Sequence, residues 1–260
     1  MPDNCLIHEW SEPINAMVVG ATGGIGLATV RQLLDREQVA RLFAVARSAC
    51  SNPALMALVT QHPGRLLPLD CDIRDEAQLA ALARATVAAV ERLHLVINTA
   101  GMLHQDAQMP EKSLASIDLS GLQSAFAINA FAPILLAKAL LPLLRHGAPT
   151  VFASLSARVG SISDNRTGGW YSYRAAKAAQ NQLLKTLALE LTRLNRQSIV
   201  LALHPGTTDT ALSKPFQGNV AAGKLFTPEF SAAALLKVIS QRRPSDSGGF
   251  YAWDGTTIGW

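Results

Sequence analysis

The chain of 260 residues has little charge and few aromatics: Asp, Glu, Lys and Arg make up 16% and Phe, Trp and Tyr 6%. Its 23 Lys and Arg are scattered, and a net charge of +4 with no basic run argues against a nucleic-acid partner. Three cysteines, Cys5, Cys50 and Cys71, form neither an even disulfide framework nor a metal-ligand spacing, so reduced thiols in a cytoplasmic protein are expected. His104, His146 and His204 have no metal spacing either, and no metal is expected. The opening residues MPDNCLIHEWSEPIN carry acids and no apolar core of their own, unlike a signal peptide. The most apolar stretch, residues 125–144, is broken by Asn129, Pro133, Lys138 and Pro142, which predicts a buried or subunit-contacting helix and no membrane span. Repeats and low-complexity tracts are missing as well.

What is present is core-forming material, 49% of the residues being hydrophobic. Short apolar runs recur as INAMVVG, RLFAVA, RLLPLD, HLVINTA, APTVFAS, QSIVLAL and GGFYAW. Helical patterns at 25–37, 75–92, 122–144, 171–194 and 228–240 lie among them. Strand followed by helix, repeated, predicts an α/β fold: a doubly wound, Rossmann-type parallel sheet of about seven strands with helices on both faces. One domain over residues 1–260 is expected. The least regular segment, residues 207–227, reads as a substrate loop, and its Leu, Phe and Ala content fits an apolar ligand.

The stretch GATGGIG joins the first strand to the first helix, with glycines at Gly20, Gly24 and Gly26. Glycine lets a backbone approach a pyrophosphate, and the start of the Ile25 helix offers free N–H groups to negative charge. Alone, such a cluster marks a tight turn as readily as a phosphate cradle. Further along, Tyr173 and Lys177 stand at i and i+4, on one face of a helix. Asn98-Thr-Ala-Gly101 ends the fourth strand, Ser156 lies just past the fifth, and Pro205-Gly206 follows the sixth.

Taken in order, G-x-x-x-G-x-G, N-x-A-G, Asn129, Ser156, Y-x-x-x-K and Pro-Gly resemble the short-chain dehydrogenase/reductase (SDR) family over nearly the whole chain. ARVGSISDN, GGWYSY and the ending FYAWDGTTIGW are similar to its branch of C-factor and sniffer-type carbonyl reductases. The resemblance implies Tyr173 as general acid in reduction and general base in oxidation, with Lys177 lowering its pKa and holding the nicotinamide ribose. It implies Ser156 as the partner of the substrate oxygen, with Ser154 as rival. Here the chain departs from the family pattern: Ala157, not Ser156, stands three before Gly160, and residues 163–170 lengthen the approach to Tyr173. Asn129 is implied in a proton relay to the lysine, beside its alternative as a structural amide.

For the cofactor, the resemblance implies contacts from Gly20, Thr22, Gly23, Gly24, Ile25 and Gly26. It adds Asp72 and Ile73 at the adenine, Asn98, Ala100 and Gly101 along the dinucleotide, and Pro205, Gly206, Thr208 and Thr210 near the nicotinamide. An NAD site presents an acid about 20 residues after the glycines. That count from Gly26 reaches Ala46, followed by Arg47, whose guanidinium suits a 2′-phosphate, so NADP(H) is favoured over NAD(H). An unliganded loop cation is the alternative for Arg47, and a surface-turn acid for Asp72. The implied activity is NADPH-dependent reduction of an aldehyde or ketone to an alcohol, in a homodimer or homotetramer. Its rivals are a C-factor-like nucleotide-sensing or signalling protein with little turnover and, ranked last, a nucleotide-sugar epimerase or dehydratase.

Overall fold

The computed structural model describes residue 10, residues 13–104 and residues 109–260, so Cys5 lies outside the described residues. Seven strands form one parallel sheet: β1 (Ile14–Val19), β2 (Val39–Ala46), β3 (Leu66–Asp70), β4 (Leu95–Asn98), β5 (Thr150–Leu155), β6 (Ser198–His204) and β9 (Gly249–Ala252). Their spatial order is β3-β2-β1-β4-β5-β6-β9, the chain winding outward in both directions from β1 and β4. β4 and β5 are buried at every residue, which explains why these segments read as continuous apolar runs without alternation. Pro68 stands in β3, an edge strand, where a missing N–H donor is tolerated.

Two apolar layers cover the sheet. On one face Val30, Leu33 and Leu34 of α1 (Gly24–Leu34) pack with Leu55 of α2 (Pro53–Gln61) and with Leu235 and Ile239 of α7 (Pro228–Ser240). On the other, Leu79 and Leu82 of α3 (Glu76–Ala89) join Leu136 and Leu140 of α5 (Ala132–Leu144) and Leu184, Leu187 and Leu191 of α6 (Tyr171–Leu194). This is the three-layer Rossmann-type arrangement expected from the strand–helix alternation. α2 has no counterpart among the expected helices, although Asn52 caps it by accepting from Leu55 N and Pro53 opens it, signals present in the sequence.

The apolar helix also starts earlier than expected. α4 (Leu119–Phe126) runs through one wide π turn, Ala127–Phe131, into α5, so that Leu119–Leu144 is continuous. By length and composition this helix could cross a membrane, but Leu136, Leu140, Leu143 and Leu144 are packed in the second core layer. Residues 207–227 hold two short paired strands, β7 (Thr207–Thr208) and β8 (Leu225–Phe226), separated by a 3-10 turn at Lys214–Asn219. Cys50 and Cys71 are free thiols, and burial pushes the Cys71 thiol up to about 11.

Candidate active site

The carboxyl ends of β1, β4, β5 and β6 converge on one edge of the sheet, and the side chains singled out from the sequence gather there. At the glycine loop, Gly23 N donates to Gly20 O at 3.0 Å, and Thr99, after β4, donates through N and Oγ1 to Val19 O, both at 2.8 Å. A methyl group on Gly26 would stand 2.1 Å from Gly20 O, so this crossing of strand and helix admits only hydrogen. No side chain caps the start of α1, and Gly23 and Gly24 are exposed. Thr22 and Ile25 flank them, half-buried. Uncapped helical N–H groups on bare backbone fit the phosphates of a dinucleotide.

On α6, Tyr173 and Lys177 are 8% and 3% exposed, with the Lys177 ammonium 5.8 Å from the centre of the Tyr173 ring. The ammonium donates to Leu155 O and to Gln180 Oε1, both at 2.8 Å. Burial without a counter-ion pushes Lys177 down to about 7 and raises the Tyr173 phenol above its ordinary value. Asn129 lies in the π turn, where its amide donates to Met102 O at 2.8 Å and accepts from Met102 N at 3.0 Å. It therefore ties the segment after β4 to the apolar helix. A methyl group on Gly101 would come within 3.2 Å of Asn129 Oδ1 and 3.6 Å of Lys177 Nζ, which puts Gly101, Asn129 and Lys177 around one space.

The serines are placed differently from Tyr173. Ser156, 3% exposed, donates its hydroxyl to Asn181 Oδ1 at 2.6 Å, inside α6 and away from solvent. Ser154 Oγ receives Asn98 Nδ2 at 2.9 Å and Gln180 Nε2 at 2.8 Å. Asn98 also accepts from Ala100 N at 3.2 Å, so its side chain braces the ends of β4 and β5.

Just past β3, the Asp72 carboxylate is gripped by Arg74 at 2.6 Å, and that hydrogen bond, helped by the nearby Arg47 guanidinium, holds it below the usual carboxylate range. Ile73 beside it is buried. Arg47 is exposed at the end of β2, leaving two guanidiniums around one acid. On the opposite side, Thr208 Oγ1 pairs with Ser231 Oγ at 2.7 Å, and Ser231 donates to Pro205 O at 3.2 Å. Gly206 packs under the Phe226 ring, and a methyl group on Gly24 would meet Thr210 Cγ2 at 2.9 Å. The segment 205–210 thus reaches across to the glycine turn at the start of α1.

Several residues that the sequence did not single out complete the site. Glu111, buried, accepts from Ser172 N at 3.2 Å and from Ser172 Oγ, and so caps α6 from a distant loop. Trp170, just ahead of α6, has φ of 53°, a left-handed conformation unusual for a bulky residue. Its ring meets Tyr173 at 6.3 Å and Phe216 of the substrate loop at 5.1 Å. His104 reaches the same loop, donating to Ala211 O at 3.2 Å. A cavity of about 20 Å³ beside Tyr173, bounded by Met102, His104, Met109 and Glu111, has room for about one water. His146 hydrogen-bonds Leu93 O at 3.0 Å, and His204, at the end of β6, is pushed down to about 4 by burial.

A family model described as short chain dehydrogenase matches residues 15–220. A curated relative, 1-hydroxy-2-glutathionyl-2-methyl-3-butene dehydrogenase of Rhodococcus sp. (strain AD45), is 34% identical over 94% of this chain and 98% of its own. Among solved structures, an NADPH-bound carbonyl reductase from chicken fatty liver superposes with a TM-score of 0.84 at 27% identity, covering 96% of this chain and 100% of that one. The carbonyl reductase Sniffer of D. melanogaster gives 0.83 at 25% identity, with the same coverage.

Two outcomes test this geometry. Gly26→Ala is expected to cost about 2–4 kcal/mol in urea denaturation, whereas Gly23→Ala, whose added methyl meets nothing closer than 3.4 Å, leaves stability within about 0.5–1 kcal/mol. Lys177 is ordinarily protonated up to 10.5 when unfolded but only to about 7 when folded. Between those values the unfolded chain binds more protons, so stability rises with pH across that window and the penalty is largest below it. Lys177→Met removes this slope, read by denaturation of both proteins at about pH 7 and about pH 9.5.

Proposed function

The chain belongs to the short-chain dehydrogenase family, and on that premise we propose that it is an NADPH-dependent carbonyl reductase acting on apolar aldehydes and ketones. The observation that carries this reading is the buried pairing of Tyr173 with Lys177 beside Gly101 and Asn129, at the same sheet edge as the uncapped glycine turn. When bound, the nicotinamide cofactor supplies the hydride. Tyr173 delivers the proton to the carbonyl oxygen, and in alcohol oxidation its phenolate takes that proton back. Lys177, a cation in a dry environment, favours the phenolate by charge and offsets the burial that otherwise keeps the phenol neutral.

Ser156 is assigned the second hydrogen bond to the substrate oxygen, for which its hydroxyl must rotate away from Asn181. Arg47 and Arg74, flanking Asp72, supply positive charge for a 2′-phosphate, and this supports NADPH over NADH. Trp170, Phe216, Met102 and Met109 give the substrate side an apolar lining.

Purified protein is expected to oxidise NADPH on addition of apolar aldehydes or ketones, followed by absorbance. Tyr173→Phe should lower kcat by about a thousandfold while NADPH binding, read by fluorescence titration, stays within about threefold. Tight NADPH binding with no turnover of any carbonyl or alcohol would reject the enzyme reading in favour of a nucleotide sensor. Arg47→Ala should raise the KM for NADPH about tenfold and leave that for NADH unchanged.

A further inference from the structure

A buried ammonium has three donors and no acceptor, so each N–H needs a partner. Lys177 places one on Leu155 O and one on Gln180 Oε1. Gln180 lies one turn further along α6 and is 0% exposed. The orientation of its amide follows from its neighbours. Lysine only donates, so the atom facing Lys177 is the amide oxygen. A backbone carbonyl only accepts, so the atom 3.2 Å from Leu155 O is the amide nitrogen, which also donates to Ser154 Oγ at 2.8 Å. Ser154 is in turn fixed by Asn98 Nδ2 at 2.9 Å. One chain of hydrogen bonds therefore links the ends of β4 and β5 to the lysine. Gly101 and Asn129 border the ammonium as well, a methyl group placed on Gly101 coming 3.6 Å from Nζ and 3.2 Å from Asn129 Oδ1.

We propose that Gln180 is a positioning residue for the reaction, anchored on Ser154 and Leu155, that holds the Lys177 ammonium so that its third N–H faces the space beside Gly101 and Asn129. Packing alone does not call for an amide here: Leu184, one turn further on, fills the corresponding position with an apolar side chain. Among the described residues, the groups facing the ammonium are neutral apart from the titratable Tyr173 on its own helix. Asn98 and Ser154 come from the strand ends, Asn129 from the π turn and Gly160 from the turn after β5. Arg158 of that turn is directed outward to Asp164 at 3.2 Å, and Glu111 is engaged with Ser172. The amide oxygen of Gln180 is thus a main source of stabilisation for the charged lysine, and its loss has a definite sign.

The kinetic part of the test rests on the carbonyl-reductase reading, whereas the spectroscopic part does not. In protein carrying 13C at the lysine ε-carbon, the Lys177 resonance is identified by its loss in Lys177→Met and followed by NMR against pH. Gln180→Met keeps the side chain's length but removes the acceptor. It should lower the charged fraction of Lys177 near neutral pH at least threefold, and lower kcat about tenfold with the carbonyl KM unchanged. An unaltered titration together with kcat within twofold of wild type would overturn the proposal. Should Gln180→Met fail to fold by circular dichroism, Ser154→Ala, which frees the far end of the Gln180 amide, should move both readings the same way by about threefold, and no movement there is equally decisive against it. A wild-type protein without turnover would sink the reductase reading and leave the titration to decide this one.

Discussion

The site depends on keeping one ammonium out of water. Lys177 is solvated by a backbone carbonyl and an amide oxygen instead of a counter-ion, and burial drives it toward the neutral form. A carboxylate in place of those neutral acceptors would fix the charge more firmly, but it would also cancel the field that Tyr173 needs. Neutral acceptors leave the positive charge uncompensated and directed at the phenol. The cost is a side chain that works against folding over the acid and neutral range, a penalty that fades as pH rises toward the ordinary lysine value.

Holding that arrangement requires α6 to be fixed in rotation and along its axis. Gly160 packs directly on the helix at Lys177, where a methyl group would approach Lys177 Cβ to 2.8 Å, so the turn after β5 bears on the helix at the lysine itself. At the helix start, Glu111 supplies the cap that Trp170 does not. Trp170 is kept left-handed after two glycines that also have positive φ, Gly168 and Gly169. Arg174 fastens this turn, donating to Gly169 O at 2.9 Å, Gly168 O at 3.1 Å and Thr167 Oγ1 at 2.9 Å. A conformation costing about 1–3 kcal/mol persists when its surroundings over-determine it. Here the result is an indole set between the rings of Tyr173 and Phe216.

The order of strands and the helices at 171–194 and 228–240 were legible because burial on both faces writes continuous apolar runs, and the connections between parallel strands have to be helical. Tyr173 and Lys177 were legible because helix periodicity places i and i+4 together. Gln180 and Asn181 carry the same periodic signal, polar residues on the buried face of α6, but their partners Ser154, in β5, and Ser156, just past it, stand more than twenty positions earlier. Sequence spacing carries no information about which serine meets which amide. For the same reason Ser156 was legible as a hydroxyl near the strand end but not as one directed toward Asn181. Glu111 and Phe216 belong to loops whose paths are set by tertiary contacts alone, so their approach to α6 could not be read from local pattern.

The two halves of the site are also joined mechanically. Thr210, near the start of the 207–227 segment, and Pro228, the first residue of α7 just after it, both crowd Gly24 at the first turn of α1, where an added methyl would lie 2.9 Å and 3.3 Å from them. The loop is further tied down by Thr208 to Ser231 on α7, a helix that packs along α1. The segment that crowds the glycine turn through Thr210 is thus the same one that carries Phe216 toward Trp170, so the two halves of the site are not free to shift independently.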